Sequence, residues 1–234
     1  MYIRDNIEKL RESIENVYME MGVKNTLKLI AVTKYVDIEN IKAAVACGIF
    51  DLGENRVQEL SVKLPAIQGA NWHMIGHLQT NKVKNVVGKV ALIQSVDSIR
   101  LAEEVNKRAG KLNTVQNILL EVKTSYEETK YGIGIDEFEN ILSEVSILPN
   151  IKVKGIMTVA PRVEDESLAR PYFKTARDLY DKFKNVKQRN IDFEYLSMGM
   201  SGDYKAAIRE GSNMVRIGTA IFGERNKKEL HYNE

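Results

Sequence analysis

Tyr195-Leu-Ser-Met-Gly-Met-Ser-Gly-Asp-Tyr-Lys-Ala-Ala-Ile-Arg-Glu-Gly-Ser-Asn-Met-Val-Arg-Ile-Gly-Thr-Ala-Ile-Phe-Gly223 reads as strand, glycine-serine turn, short helix, strand and a second glycine turn. Residues 195–198 form a short apolar run, which Gly199, Ser201 and Gly202 break. Asp203 stands where an N-cap is expected for a helix over 204–209. Gly211 stops that helix, and 214–217 is apolar around Arg216 before Gly218 and Thr219 turn the chain again. Small residues let backbone N–H groups approach an anion closely, and the positive end of a helix favours one. Two such turns after successive strands predict a phosphate cup. The plainer alternative is two tight turns that need glycine for geometry alone.

The same rhythm runs back through the chain. A spacing of three or four separates Ile3, Ile7, Leu10, Ile14, Val17 and Met21, which predicts an amphipathic first helix. Strands are expected at 27–34, 49–52, 71–75, 91–96, 117–123, 153–159, 195–198 and 214–217. Helices are expected between them at 38–47, 57–64, a segment through Val86, 99–109, 136–146, a long helix at about 166–187, and 204–209. Eight strands alternating with helices predict parallel pairing and a closed (β/α)8 barrel, a TIM barrel with an extra N-terminal helix. An open doubly wound sheet is the competitor. No linker, low-complexity tract or charge block divides the chain, so residues 1–234 are expected to be one domain.

Composition narrows the function. The 234 residues are 44% hydrophobic, enough for one substantial core. Lys+Arg 34 against Asp+Glu 32 leaves a net charge of +2 without a basic stripe, which argues against nucleic acid. No apolar run approaches a membrane span, and the N-terminus reads as a helix rather than a signal peptide. The single cysteine, Cys47, excludes an internal disulfide and fits a reducing cytoplasm; it reads as a buried small hydrophobe. Three histidines without ligand-like spacing predict no metal. The first helix carries one apolar stripe, so a monomer is expected.

In a barrel the C-terminal strand ends share the functional face, and phosphate is typically held after strands seven and eight. The unusual residues fall at those ends: Lys34, Gly53-Glu54-Asn55, Gly76-His77, Met157-Thr158, Ser201-Gly202 and Arg216-Gly218-Thr219. Lys34 closes an apolar strand, so its stem is expected in the mouth. A partly buried amine is a nucleophile toward aldehydes; the alternative is a surface lysine at a strand end. With a phosphate cup across the barrel, an aldehyde-and-phosphate ligand such as pyridoxal 5′-phosphate (PLP) satisfies both.

Four stretches resemble one family: Ala31-Val-Thr-Lys34, Gly53-Glu-Asn55, Trp72-His-Met-Ile-Gly-His-Leu-Gln-Thr-Asn-Lys82, and Ser197-Met-Gly-Met-Ser-Gly-Asp203 with Met214-Val-Arg-Ile-Gly-Thr-Ala-Ile-Phe-Gly223. In order and spacing they resemble the PLP homeostasis proteins, also called the YggS/PROSC or PLP-binding protein family, single-domain relatives of the alanine racemase barrel. The resemblance covers essentially the whole chain. It implies Lys34 as the Schiff-base lysine, with Ser201, Gly202, Gly218 and Thr219 at the phosphate. Arg216 is implied to face the pyridine nitrogen and Asn55 the ring. Met157 and Met198 are implied apolar contacts, with ordinary core packing as the alternative. His73 reads as a hydrogen-bonded core histidine. His77 is either a ligand-side group or a loop residue, Glu54 a charge at a helix N-terminus, and Lys82 an exposed helical residue.

Two classes of function compete. A carrier holds PLP reversibly, buffers the aldehyde and releases it to PLP-dependent apoenzymes. An enzyme racemises or decarboxylates an amino acid, and racemases of this kind need a second acid/base on the opposite ring face. The chain ends eleven residues after Gly223, which leaves no room for the C-terminal domain that supplies that group in the resembling enzymes. A carrier in the cytoplasm, with no catalytic residue, is therefore expected. A barrel for another phosphorylated metabolite stays a third possibility. Lys130, Lys227 and Lys228 are loop amines that either take the aldehyde transiently or are ordinary surface lysines.

Overall fold

The computed structural model describes residues 2–125, 131–186, 188 and 190–224. Eight strands form the frame: β1 (Lys28–Val32), β2 (Asp51–Glu54), β3 (Asn71–Met74), β4 (Leu92–Val96), β5 (Gln116–Lys123), β6 (Ile151–Met157), β7 (Ile191–Ser197) and β8 (Met214–Ile217). Every pairing between them is parallel. β4 pairs with β5 and β8 pairs with β1, so the sheet closes into the expected barrel rather than an open sheet. A two-residue strand, Ile133–Gly134, lies outside the ring against β5. Each strand is followed by α2 (Ile38–Ala46), α3 (Val57–Ala66), a 3-10 turn (Thr80–Asn85), α4 (Ile99–Lys111), α5 (Phe138–Ser146), α6 (Arg170–Phe183), α7 (Tyr204–Arg209) or α8 (Thr219–Phe222).

Strands buried on both faces feed two cores. Ile30, Leu92, Leu119, Met157 and Met214 make a small cluster inside the barrel, with Val159 and Tyr195 packed on it. The larger core lies between strands and helices. The first helix, α1 (Tyr2–Met21), packs on it through Ile3, Ile7, Leu10, Ile14, Val17 and Tyr18; Met21 is exposed, so Tyr18 completes the stripe in its place. Tyr204 of α7 also reaches α1, where its hydroxyl donates to Ser13 Oγ at 2.8 Å. No helix among the described residues is long and apolar enough to cross a membrane.

Several boundaries differ from the sequence reading. The expected long helix at 166–187 is a 3-10 turn, Glu166–Ala169, followed by α6, with Pro171 at its start where a missing N–H costs nothing. Strand seven starts at Ile191, because polar residues alternate with apolar ones along its exposed half. β2 runs to Glu54, two residues beyond the expected end. The helix expected through Val86 is only the 3-10 turn, and Cys47 is half-buried at the end of α2, where its carbonyl accepts from Arg11. Asp203 does not cap α7: its Oδ1 accepts the amide of Met200 at 2.5 Å, closing the turn that precedes the helix.

Gly155 sets the bend of β6 against β7. Its φ is +136°, the register shifts between Val153 and Gly155, and a Cβ there would run into the Tyr195 carbonyl. Gly155→Ala is expected to destabilise the barrel by more than about 2 kcal/mol in urea unfolding; a loss of only a few tenths would show that the bend is not a constraint.

Candidate functional site

Closing the ring places the last strands beside the first. β7, β8, β1 and β2 are consecutive neighbours, with Ala31 paired to both Ile217 and Leu52. The C-terminal ends of these four strands carry Ser201 and Gly202, then Arg216, Gly218 and Thr219, then Lys34, then Asn55. The cup is therefore not across the barrel from Lys34 but on the adjoining strand. Lys34 lies in a turn just past β1, half-buried, and continues the inward alternation of Lys28 and Ile30.

The two glycine turns converge on one oxygen. Ser201 Oγ accepts the amide of Gly218 at 3.2 Å and that of Ala220 at 3.3 Å. The Arg216 amide donates to the Gly199 carbonyl at 3.0 Å, tying β8 to the turn after β7. A Cβ built on Gly202 meets nothing within 4 Å, so that position opens onto free space.

Arg216 is buried, 4% exposed, and held on two sides. Its Nη1 donates to Ser197 Oγ at 2.6 Å and its Nη2 to the Thr158 carbonyl at 2.8 Å. Burial pushes its pKa down to about 10, against the pull of Glu121 and Asp203, so the guanidinium is charged at neutral pH. Ser197 in turn donates to Gln94 Oε1 at 2.7 Å, and Gln94 Nε2 donates to His73 Nδ1 at 3.1 Å. That order leaves the His73 proton on Nε2, which faces Asp51 Oδ1 at 3.0 Å. Lys28 closes the line at 3.5 Å from Asp51. His73 is the hydrogen-bonded core residue its strand position implies.

Glu121 on β5 was not singled out by the sequence, although alternation with Leu119 sends it inward. Burial first, and Asp97 next, push its pKa up to about 7, while Arg216 draws it down. Asp97 Oδ2 lies 3.1 Å from His77 Nδ1, and the His77 ring stacks on Tyr131 at 3.7 Å between centroids. His77 is thus a rim residue with its own protein contacts.

Other expectations change. Glu54 does stand at the N-terminus of α3, where Oε1 accepts the Asn55 amide at 2.8 Å and the Arg56 amide at 3.5 Å, but it is also fully buried, with Oε2 on Lys63 Nζ at 2.9 Å and the Thr33 hydroxyl at 2.8 Å. Lys82 is half-buried in the 3-10 turn rather than exposed on a helix. Met157 belongs to the cluster inside the barrel and Met198 to the core outside it, both sealed among apolar neighbours. Lys130, Lys227 and Lys228 lie outside the described residues. Among the described residues no three His, Cys, Asp or Glu side chains are grouped to hold a metal ion.

Residues 3–226 match the model of the alanine racemase N-terminal domain family. The pyridoxal phosphate homeostasis protein of Aquifex aeolicus is 42% identical over 224 residues, covering 94% of this chain and 97% of that protein. The chain belongs to the pyridoxal phosphate homeostasis protein family. A relative of the same name from Synechocystis is 37% identical over 90% of this chain and 98% of that protein. PipY of Synechococcus elongatus, solved with PLP bound, is 31% identical with a TM-score of 0.82, covering 94% of this chain and all of that one. An alanine racemase from Clostridium difficile shares the fold at 17% identity and a TM-score of 0.74; the match spans 98% of this chain and 61% of the racemase.

In this pyridoxal phosphate homeostasis family member the mouth thus holds an acid beside an arginine. Because the folded pKa of Glu121 lies above its ordinary 4.5, the stability it contributes is full below about pH 4.5 and is lost as pH rises through about 7. Relative to Glu121→Gln, the wild-type chain is expected to lose on the order of 2–3 kcal/mol between pH 4.5 and 7.5. Denaturant titrations of both proteins at a series of pH values measure it, and parallel curves would remove Glu121 as a buried titrating group.

Proposed function

We propose that this chain binds PLP reversibly through Lys34 and supplies it to PLP-dependent apoenzymes in the cytoplasm, without a robust reaction of its own. The observation that carries the reading is the single acceptor oxygen of Ser201 between two amides on the strand end adjoining Lys34. Held as an acceptor by those two amides, the Ser201 hydroxyl has its own O–H to donate, and a phosphate oxygen is a natural acceptor for it. The residues also fit the rest of the molecule: Asn55 Oδ1, just past the end of β2, is a buried acceptor with no hydrogen-bond partner in the protein.

PLP supplies an aldehyde that condenses with an amine and releases water, together with a phosphate and a pyridine ring. Lys34 would provide the amine. Ser201, Gly202, Gly218 and Thr219 would hold the phosphate, and Asn55 would approach the ring. Arg216, which can only donate, would meet the pyridine nitrogen as a donor and keep it an acceptor. An unprotonated nitrogen makes the ring a weaker electron sink, which suits holding better than turnover. The relatives' name, pyridoxal phosphate homeostasis protein, supports the carrier over a racemase or decarboxylase.

Borohydride treatment of the PLP-loaded protein is expected to fix a pyridoxyl group on Lys34, seen by peptide mass spectrometry. Lys34→Ala should abolish it. Ser201→Ala should weaken PLP binding about tenfold, the value of roughly one charge-assisted hydrogen bond. Steady turnover of any amino acid in a panel, above free PLP, would replace the carrier with an enzyme.

A further inference from the structure

Beneath the turn that carries Lys34 lie three buried charged side chains that the cofactor reading does not use. Lys63 and Glu54 are fully buried and Glu59 is 2% exposed. Lys63 Nζ donates to Glu59 Oε2 at 2.6 Å, to Glu54 Oε2 at 2.9 Å and to the Thr33 carbonyl at 2.8 Å. The Tyr35 amide donates to Glu59 Oε2 at 2.9 Å, and the Thr33 hydroxyl donates to Glu54 Oε2 at 2.8 Å. Both residues flanking Lys34 are therefore tied to the same cluster, and Glu54 Oε1 holds the Asn55 amide as well.

The geometry points to Lys63, Glu54 and Glu59 as positioning residues that fix the backbone on either side of Lys34 and so set where its amine stands. Tyr35 needs such a hold. Its φ is +57°, a conformation that L side chains other than Asn and Asp rarely adopt, and one that persists only where surroundings over-determine it. The Arg56 guanidinium over the Tyr35 ring, 4.8 Å from its centroid, adds a second restraint from the start of α3. Stability is a poor reason for the cluster, since buried ion groups replaced by well-packed apolar residues often leave a fold no weaker. Position is the better one: a condensation between amine and aldehyde depends steeply on placement, and a displacement of about 1 Å can cost up to a hundredfold in rate.

The inference rests on Lys34 as the residue that meets PLP, so the experiment reads the clamp and that assignment separately. Full-length wild type, Lys63→Met, Glu59→Gln and the double variant Glu59→Leu/Lys63→Met are loaded with PLP. Total bound PLP, the rate at which borohydride-fixable PLP appears on Lys34, the exchange rate of the Tyr35 amide and the thermal midpoint are measured on each. In Lys63→Met and the double variant, total PLP should change little, because Ser201 and Gly218 are untouched. Covalent capture should slow about tenfold or more. In the double variant, which loses the acceptor, the Tyr35 amide should exchange about fivefold faster. Glu59→Gln keeps an acceptor for the Tyr35 amide and should recover most of the capture rate. Capture at the wild-type rate in a folded Lys63→Met or double variant, or loss only in proportion to the unfolded fraction, would overturn the proposal. Should Lys63→Met fail to fold, Glu59→Leu set against Glu59→Gln makes the same comparison through the Tyr35 amide. Failure of wild type to fix PLP on Lys34 sinks the assignment of Lys34, while the Tyr35 exchange rates still report on the clamp.

Discussion

A guanidinium sealed inside a barrel has to be held by groups that are themselves held. Arg216 stays charged at neutral pH because Glu121 and Asp203 oppose the effect of burial, while Ser197 and the Thr158 carbonyl take the place of the water it has lost. Ser197 is free to accept from it because its own proton goes to Gln94, whose amide then fixes the tautomer of His73. The line ends at Asp51, where burial works against ionisation but His73 and Lys28 hold the carboxyl below its ordinary range. Lys28 and Asp51 border an open cavity of about 520 Å³ at the opposite end of the barrel, so the last charges of the chain meet solvent. The two nitrogens of the guanidinium that donate, Nη1 and Nη2, have separate acceptors, which fixes its orientation.

That arrangement explains why the barrel interior is not wholly apolar. The small cluster of Ile30, Leu92, Leu119, Met157 and Met214 fills the middle. The polar line passes beside it, with Gln94 Nε2 3.3 Å from Met214 Sδ. A barrel packed with aliphatic layers alone would offer nothing for an arginine to lean on at the rim. Keeping polar residues on the inward face of β2, β3, β4 and β7 is the structural cost of a fixed donor in the mouth.

Much of this was legible. Alternation of apolar runs with glycine stops gave all eight strands and the closed barrel, because strands buried on both faces leave a signal that needs no partner to be seen. The neighbours Lys34, Asn55, Arg216 and Ser201 were legible as strand-end residues. Their mutual placement was misjudged across the mouth, although closure of eight parallel strands requires the last to lie beside the first. The α3 helix was the least readable element. Glu59 and Lys63 sit four apart, the spacing of an ordinary solvated pair on a helix, yet they are buried while Val62 between them is 44% exposed. Helical periodicity identifies a face, not which face meets the core, and here the charged one turns inward beneath the rim. Asp203 misled for a related reason: a capping residue type in a capping position found a closer amide in its own turn.

The inward-facing charges of α3 and the polar line of the interior solve the same problem on two adjoining strands. Lys34 follows β1 and Arg216 is on β8; buried polar groups hold the backbone on either side of the first and the guanidinium of the second. A flexible lysine loses rotamer freedom when its amine is confined, and nothing in its own four-carbon stem resists that loss. Fixing the backbone on both sides of it, at Thr33 and Tyr35, removes the main-chain share of that motion. For the proposed capture of a small aldehyde, a fixed main chain sets where contact happens.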